Sequence, residues 1–477
     1  MKRLRFLLLV CVLSAVSVCV FAAAAADGAE PLVSGDYTYA LREDGTAVIT
    51  RYTGSAGDVT IPSSISGIPV TALGANSFDN CTSLFFVEIP EGVTSIGDYT
   101  FRFCNSLQAV NLPDSLAEMG RNPFVGCEEL EEINISPDHP VFYLDRQVLF
   151  SRPDSRLISY FSVLDRGPYT VPDGTKIIGA SAFYQCQNVT DLTLPDTVTS
   201  IGQKAFCFCD NLRSINLPDS ISYVGEGAFI HCIGLQSLAF PDTITAIGDN
   251  AFEDCTNLKE VILPQDTVSI GDRAFFKCSS LQSLELPEGI TAIGKSTFAY
   301  CKDLVSITLP DGVTYIGNGA FLSCSKLEDI SIPSTVNYIG SNAFYECSML
   351  TEISLPHTCF YIGPGAFSKC SALREFRIPM VMNAINDHVF EGCAGLTEIT
   401  ITGRVTSIGS YAFAGCYNLT KITIPENVTS IGERAFYWCN GLTSVTLPDS
   451  LETVHPSAFE NCSNLADLPD LSRFESP

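Results

Sequence analysis

Histidine is scarce in this 477-residue chain, with only His139, His231, His357, His388 and His455. None sits in a His-Glu-x-x-His pair, and no Gly-x-Ser-x-Gly elbow occurs, so two common hydrolase signatures are missing. Positive charge is short as well. Twenty-seven Lys and Arg face 53 Asp and Glu, for a net charge of −26. Such a surface repels phosphate backbones, which excludes nucleic acid as a partner, and it argues against direct attachment to anionic membranes or wall polymers. No EF-hand or Ca²⁺ nonapeptide motif is present to let cations bridge that repulsion. After residue 26 no apolar run is long enough to span a bilayer. Carboxylates are plentiful, so residue type alone leaves a paired-carboxylate site open. A near-perfect repeat is nevertheless a poor host for one unique catalytic centre, and no enzyme activity, cofactor or metal is expected.

What the chain has in abundance is self-similarity. From Cys186 to Cys462 a cysteine falls every 23 residues, and the same spacing links Cys81, Cys104 and Cys127. Three places before each of these sixteen cysteines stands a Phe, from Phe78 to Phe459, and three places after stands Leu or Val. A fixed period in this range with Leu-x-x-Ile-x-Leu spacing marks stacked supersecondary units of leucine-rich type. In the clearest copy, beginning at Cys301, Leu304, Ile307 and Leu309 point inward from a short strand. Pro310-Asp311-Gly312 turns the chain, Ile316 returns to the core, and Gly317 opens a convex segment that carries Phe321 and closes at Cys324. The Gly317 position is glycine in fourteen of the sixteen units, with Asn386 and His455 as the exceptions. Asn is the usual second choice where φ is positive, so the pattern predicts a left-handed backbone there. One unit cannot bury its own apolar face, so the array must be cooperative and capped.

Residues 1–26 read as a secretory signal peptide. Lys2, Arg3 and Arg5 precede the apolar stretch from Leu7 to Phe21, and Ala22 to Ala26 offer a cleavage site. Removing them takes away three cations and no acid. Residues 27–60 are expected to form a linker and a capping hairpin turned at Asp44-Gly45. Repeats follow over residues 61–135. Residues 136–170 carry an extra unit without its Phe and Cys, expected to be an inserted β-hairpin projecting from the stack. A second array covers 171–465, and 466–477 form a cap or tail. No anchor motif is found: Leu194-Pro-Asp-Thr197 continues with Val198 and lacks an apolar tail.

The repeat, the opening Gly35-Asp-Tyr-Thr-Tyr39 hairpin and the inserted hairpin together resemble the BspA-like leucine-rich repeat family, over residues 33–468. The resemblance implies a right-handed solenoid of 23-residue units. It has a parallel β-sheet on one face and short helical or irregular segments on the other. It also implies a secreted or cell-surface location in host-associated bacteria or parasitic protozoa. The implied function is adhesion, through binding of host matrix proteins such as fibronectin and fibrinogen, or of other cells. The competing expectation is a structural component of an extracellular or cell-surface layer without a specific ligand.

The ladder cysteines are read as a reduced core column, because stacked Cβ vectors about 4.8 Å apart exceed disulfide reach; disulfides or metal ligation are the alternatives. Cys359 is read as core, and Cys207, on the convex segment, as a surface residue. Two exposed columns are the candidate protein-binding residues. One is acidic, with Asp329, Glu352, Glu375 and Glu398 in consecutive units and Arg377 beside it. It is either a solvated face or a stripe for a basic partner. The other is Tyr315, Tyr338 and Tyr361, where most units carry Ser or Ala. It is either a self-stabilising aromatic ladder or an interface. The two columns run through overlapping units and are expected to lie near each other.

Overall fold

The computed structural model describes residues 31–161, 163, 167–401, 403–466, 471 and 474. The signal-peptide reading therefore falls outside the described residues, as does most of the expected C-terminal tail. The described chain forms two compact units, one ending at Val141 and one beginning at Phe142.

Both units open in the same way. In the first, Leu32–Ser34, Tyr37–Leu41 and Ala47–Tyr52 run antiparallel, and the third strand then pairs parallel with Ile68–Leu73. In the second, Phe142–Asp145, Val148–Ser151 and Arg156–Ser159 run antiparallel, and the third strand pairs parallel with Ile177–Ile178. Tyr52 and Tyr160 play matching parts. Each stacks at 5.0 Å and 22° on the first Phe of its ladder, Phe78 and Phe183. Each donates its N–H over 2.7 Å into the first repeat, to Ser77 O and Ala182 O. The expected hairpin at 136–170 thus does not project. Val148, Leu149, Phe150 and Ser151 are all buried, because this strand has paired neighbours on both sides in the sheet that opens the second unit.

Within a repeat the chain makes three hydrogen-bonded sides. A three-residue strand such as Ser306–Thr308 alternates exposed, buried, exposed. It pairs in parallel with Ser283–Glu285 and Asp329–Ser331. After the turn, where Val313 N–H donates to Pro310 O at 3.1 Å, a two-residue strand, Tyr315–Ile316, enters a separate parallel sheet. The third side is irregular rather than helical, with no α-helix among the described residues. It is held by Gly319 N–H to Ser341 O, Phe321 N–H to Ala343 O and Ser323 N–H to Tyr345 O, at 2.7–2.9 Å. Leu304, Ile307, Leu309, Val313, Ile316, Phe321 and Cys324 fill the interior between the three sides, none more than 5% exposed. The phenylalanines stack in register, Phe321 on Phe344 and Phe344 on Phe367, each at 5.3 Å.

The recurrent glycine has a different cause from the one expected. Gly317 is not left-handed. A Cβ there would lie 2.8 Å from the carbonyl carbon and oxygen of Gly294 in the preceding repeat, so the backbones approach too closely for any side chain. At Asn386 the side-chain Nδ2 donates over 2.7 Å to Ile362 O, the kind of acceptor that the Gly363 N–H takes one repeat earlier, at Ile339 O. The left-handed positions are two others. One lies two residues after the glycine, at Gly319, Asn342, Gly365, His388, Tyr411 and Arg434. The other immediately precedes the cysteine, at Ser323, Glu346 and Lys369. All have φ between 50° and 66°. Non-glycine residues tolerate this because the third-side ladder fixes the local backbone.

Among the described residues no disulfide forms, and fifteen of the sixteen ladder thiols are buried, with Cys81 at the start half-exposed. They also do more than fill space. Cys301 N–H and Cys324 Sγ both donate to Phe298 O, each at 3.1 Å, and the pattern repeats along the chain. Cysteine supplies a small apolar body with a weak donor that ties each repeat to the one before. Cys359 is buried as expected, but Cys207 is buried too. It is not a surface residue, and burial pushes its thiol up to about 12.

Candidate functional site

Parallel pairing in register places identical positions of successive repeats side by side, so any exposed residue type that persists over several repeats becomes a column. Tyr315, Tyr338 and Tyr361 are directly registered in the two-residue-strand sheet. Their rings stack at 4.9 Å and 15°, then at 4.7 Å and 13°. Tyr315 is 38% exposed and the other two are half-buried. Partial burial, then the neighbouring Tyr361 and Tyr315, raise the Tyr338 hydroxyl above its ordinary range. The Tyr338 hydroxyl is therefore a neutral donor throughout the physiological pH range. Ala292 precedes the row in register, and Ala384 occupies the position after it.

Asp329, Glu375, Arg377 and Glu398 lie on the exposed face of three-residue strands. Glu375 is registered directly against Glu398. Glu352 is exposed but belongs to a repeat whose segment is not a strand. Among the described residues, none of these four carboxylates forms an ion pair, and neither does Arg377. Asp329, Glu375 and Glu398 thus lie in sheets other than that of the tyrosines, separated from it by the turn in every repeat, rather than in one mixed strip. The reason is local: eight residues and a proline turn separate Glu352 from Phe360 along the chain.

That turn holds what the sequence reading missed. The residue after the turn proline is Asp or Glu at Asp173, Asp196, Asp219, Asp242, Glu288 and Asp311, with Gln265 the exception, and again at Glu426 and Asp449. In the four intervening repeats the position holds Ser334, His357, Met380 and, in a repeat with Thr402 in place of the proline, Gly403. Met380 is 65% exposed, its neighbour Val381 40%, and Phe360, one place before Tyr361, 55%. In the two preceding repeats the Val381 position is Thr, and those hydroxyls have work. Thr335 Oγ1 donates to Asp311 O and Val313 O, both at 2.7 Å, and Thr358 Oγ1 donates to Ser334 O and Val336 O. Val381 gives up these bonds for exposed apolar surface. A local rule broken without structural gain marks a position shaped by something other than folding. The signal was present in the sequence as a four-repeat gap in an acidic column.

Other chemistry is sparse. Among the described residues, no group of three or more His, Cys, Asp and Glu is arranged to hold a metal ion, and no helix is long and apolar enough to cross a membrane. An open depression of about 520 Å³ is lined by Ser407, Ser430, Thr453, Asp387, Glu433 and Phe474, among others.

Stacked parallel repeats with a leucine-rich core signature and a Phe ladder in each unit define a leucine-rich-repeat solenoid. The chain belongs to the BspA type leucine rich repeat region family, whose model matches residues 52–149, 176–305, 268–397 and 383–469. Among solved structures, a leucine-rich repeat protein from Bacteroides ovatus is 29% identical, covering 83% of this chain and 95% of its own, with a TM-score of 0.53. A leucine rich cell surface protein from Faecalibacterium prausnitzii is 24% identical over 92% of this chain and 94% of its own, with a TM-score of 0.32. No curated protein matches the chain.

Proposed function

We propose that this is an exported binding protein that engages protein partners, such as matrix proteins or components of other cells, through the tyrosine row and the turns beside it. The observation that carries the reading is the exposure of Tyr315, Phe360, Met380 and Val381 in a chain of net charge −26. Large aromatic and Met side chains on an otherwise charged surface are the composition of an interface centre. The acidic column across the turn supplies a rim that favours a basic partner and accelerates its approach at low salt. Export follows from reading residues 1–26 as a signal peptide, and N-terminal sequencing of secreted material should begin near Asp27.

The test is capture of purified matrix proteins and of whole cells by immobilised protein, beside a Tyr315→Ser, Tyr338→Ser, Tyr361→Ser variant. Ser is what several sibling repeats carry, so the variant should fold. The proposal expects saturable capture by the parent and loss in the variant. Equal capture by both, or none by either, contradicts it and favours a structural layer component.

A further inference from the structure

The only tryptophan in the chain, Trp438, stands on the irregular third side with 45% of its surface exposed, and Tyr417 nearby is 44% exposed. Their ring centroids are 6.5 Å apart, and Tyr437 lies 5.8 Å from Trp438. In the two repeats before Trp438, the same column carries Gly392 and Gly415. Both are left-handed, with φ of 74° and 73°, yet Ser323, Glu346 and Lys369 hold that conformation in the same column. The backbone therefore does not demand glycine here. What the glycines provide is a bare shelf: a Cβ on Gly415 would meet Gly392 at 3.6 Å and the Tyr417 ring at 3.9 Å.

The charged groups around this shelf are engaged by neighbours within the protein. Arg434 pairs with Glu460 at 3.1 Å and with Glu433 at 3.9 Å, donates to the Tyr411 hydroxyl at 3.0 Å, and lies over the Tyr437 ring at 5.1 Å. His388 contacts Glu391 at 2.9 Å and stacks on Tyr411. Lys369, which borders Gly392, lies with its Nζ over the Tyr345 ring at 4.9 Å. An open aromatic surface whose neighbouring charges are engaged within the protein suits a ligand that is itself uncharged and has one flat apolar face with polar edges. Pyranose rings have that form, with C–H bonds on the faces and hydroxyls at the rim. A peptide would seek carbonyl and N–H partners, which the ladder bonds on this side already occupy.

We propose that Trp438, Tyr417 and the Gly392–Gly415 shelf form a binding site for a neutral oligosaccharide. The site is separate from the tyrosine row and does not depend on the protein-binding reading. It is self-reporting, since Trp438 is the sole source of tryptophan emission. Full-length protein is titrated with hexasaccharides of β-1,4-linked glucose, xylose, mannose and N-acetylglucosamine, and with a lysine-rich peptide and heparin as charged comparators. The expected result is a saturable blue shift with at least one neutral hexasaccharide. Affinity electrophoresis should then show at least a tenfold loss of retardation in Trp438→Ala and Tyr417→Ala, and partial retention in Trp438→Phe. Absence of a response to every neutral sugar, a response only to the peptide or heparin, or undiminished retardation of a folded Trp438→Ala variant would overturn it.

Discussion

Cys324 donates its Sγ–H to the carbonyl oxygen of Phe298, 26 residues earlier, over 3.1 Å. The bond joins two repeats through the buried core rather than through the sheet edge, so the thiol column is a fourth line of inter-repeat bonding. Cys324→Ala removes both the donor and a buried sulfur. It should cost about 1–3 kcal/mol, as expected for a lost hydrogen bond plus a small cavity. Hydrogen exchange should show the loss as faster opening of the repeats around Cys324 rather than uniformly along the chain.

The same burial gives an alkaline limit to stability. From Cys232 to Cys439 every ladder thiol is pushed well above its usual range, mainly by burial. In the unfolded chain these thiols ionise near pH ~8.5. Above that pH the folded state holds more protons than the unfolded one, so stability falls as pH rises. Each thiol contributes a slope of about 1.4 kcal/mol per pH unit. Unfolding by denaturant should show a nearly constant midpoint from pH 7 to 8 and a steep decline above pH 9. A midpoint that holds steady to pH 10 would contradict a reduced, buried ladder.

Gly317 and Gly319 separate close packing from backbone handedness. Gly317→Ala places a Cβ 2.8 Å from the Gly294 backbone and should destabilise by about 1–3 kcal/mol or more, as overpacking does. Gly319 has φ 61°, and its nearest contact to a Cβ is 3.3 Å, a flexible Ser296 Oγ. Gly319→Asn matches Asn342 one repeat later and should cost less than about 1 kcal/mol. Thermal unfolding of the two variants reads the difference directly.

A quieter device also crosses repeats. Asp272 Oδ1 accepts the N–H of Lys295 at 2.6 Å, and Asp249 Oδ1 accepts that of Asp272 at 2.8 Å. Asn318 and Asp387 do the same for Ser341 and Ser410. Asp272→Ala should lose about 1 kcal/mol, and Asp272→Asn should recover most of it, because only the acceptor oxygen matters.

The period of 23, the inward Leu, Ile and Phe, and the cysteine column were legible because stacking repeats each requirement sixteen times. The handedness at Gly317 was not. The absence of a Cβ serves either a positive φ or a close neighbour, and the neighbour is 23 residues away in sequence. Cys207 was misplaced as well: it looks peripheral along the chain, yet it is buried. The tyrosine column was readable from its spacing. Its separation from Asp329 and Glu375 was not, because the turn puts the two strands of one repeat into different sheets. Met380 and Val381 stood out only as departures from a column, which carry weight once their exposure is known.

The central claim is that Phe360, Met380 and Val381 are exposed for a partner. Phe360→Thr, Met380→Asp and Val381→Thr restore the residue types that sibling repeats carry, so the combined variant should unfold at the same temperature as the parent or slightly above it. Its affinity for the captured protein partner, measured side by side by surface plasmon resonance at fixed salt, should fall at least tenfold, about 1.4 kcal/mol or more. Unchanged affinity in this folded variant would contradict the account and move the binding surface elsewhere.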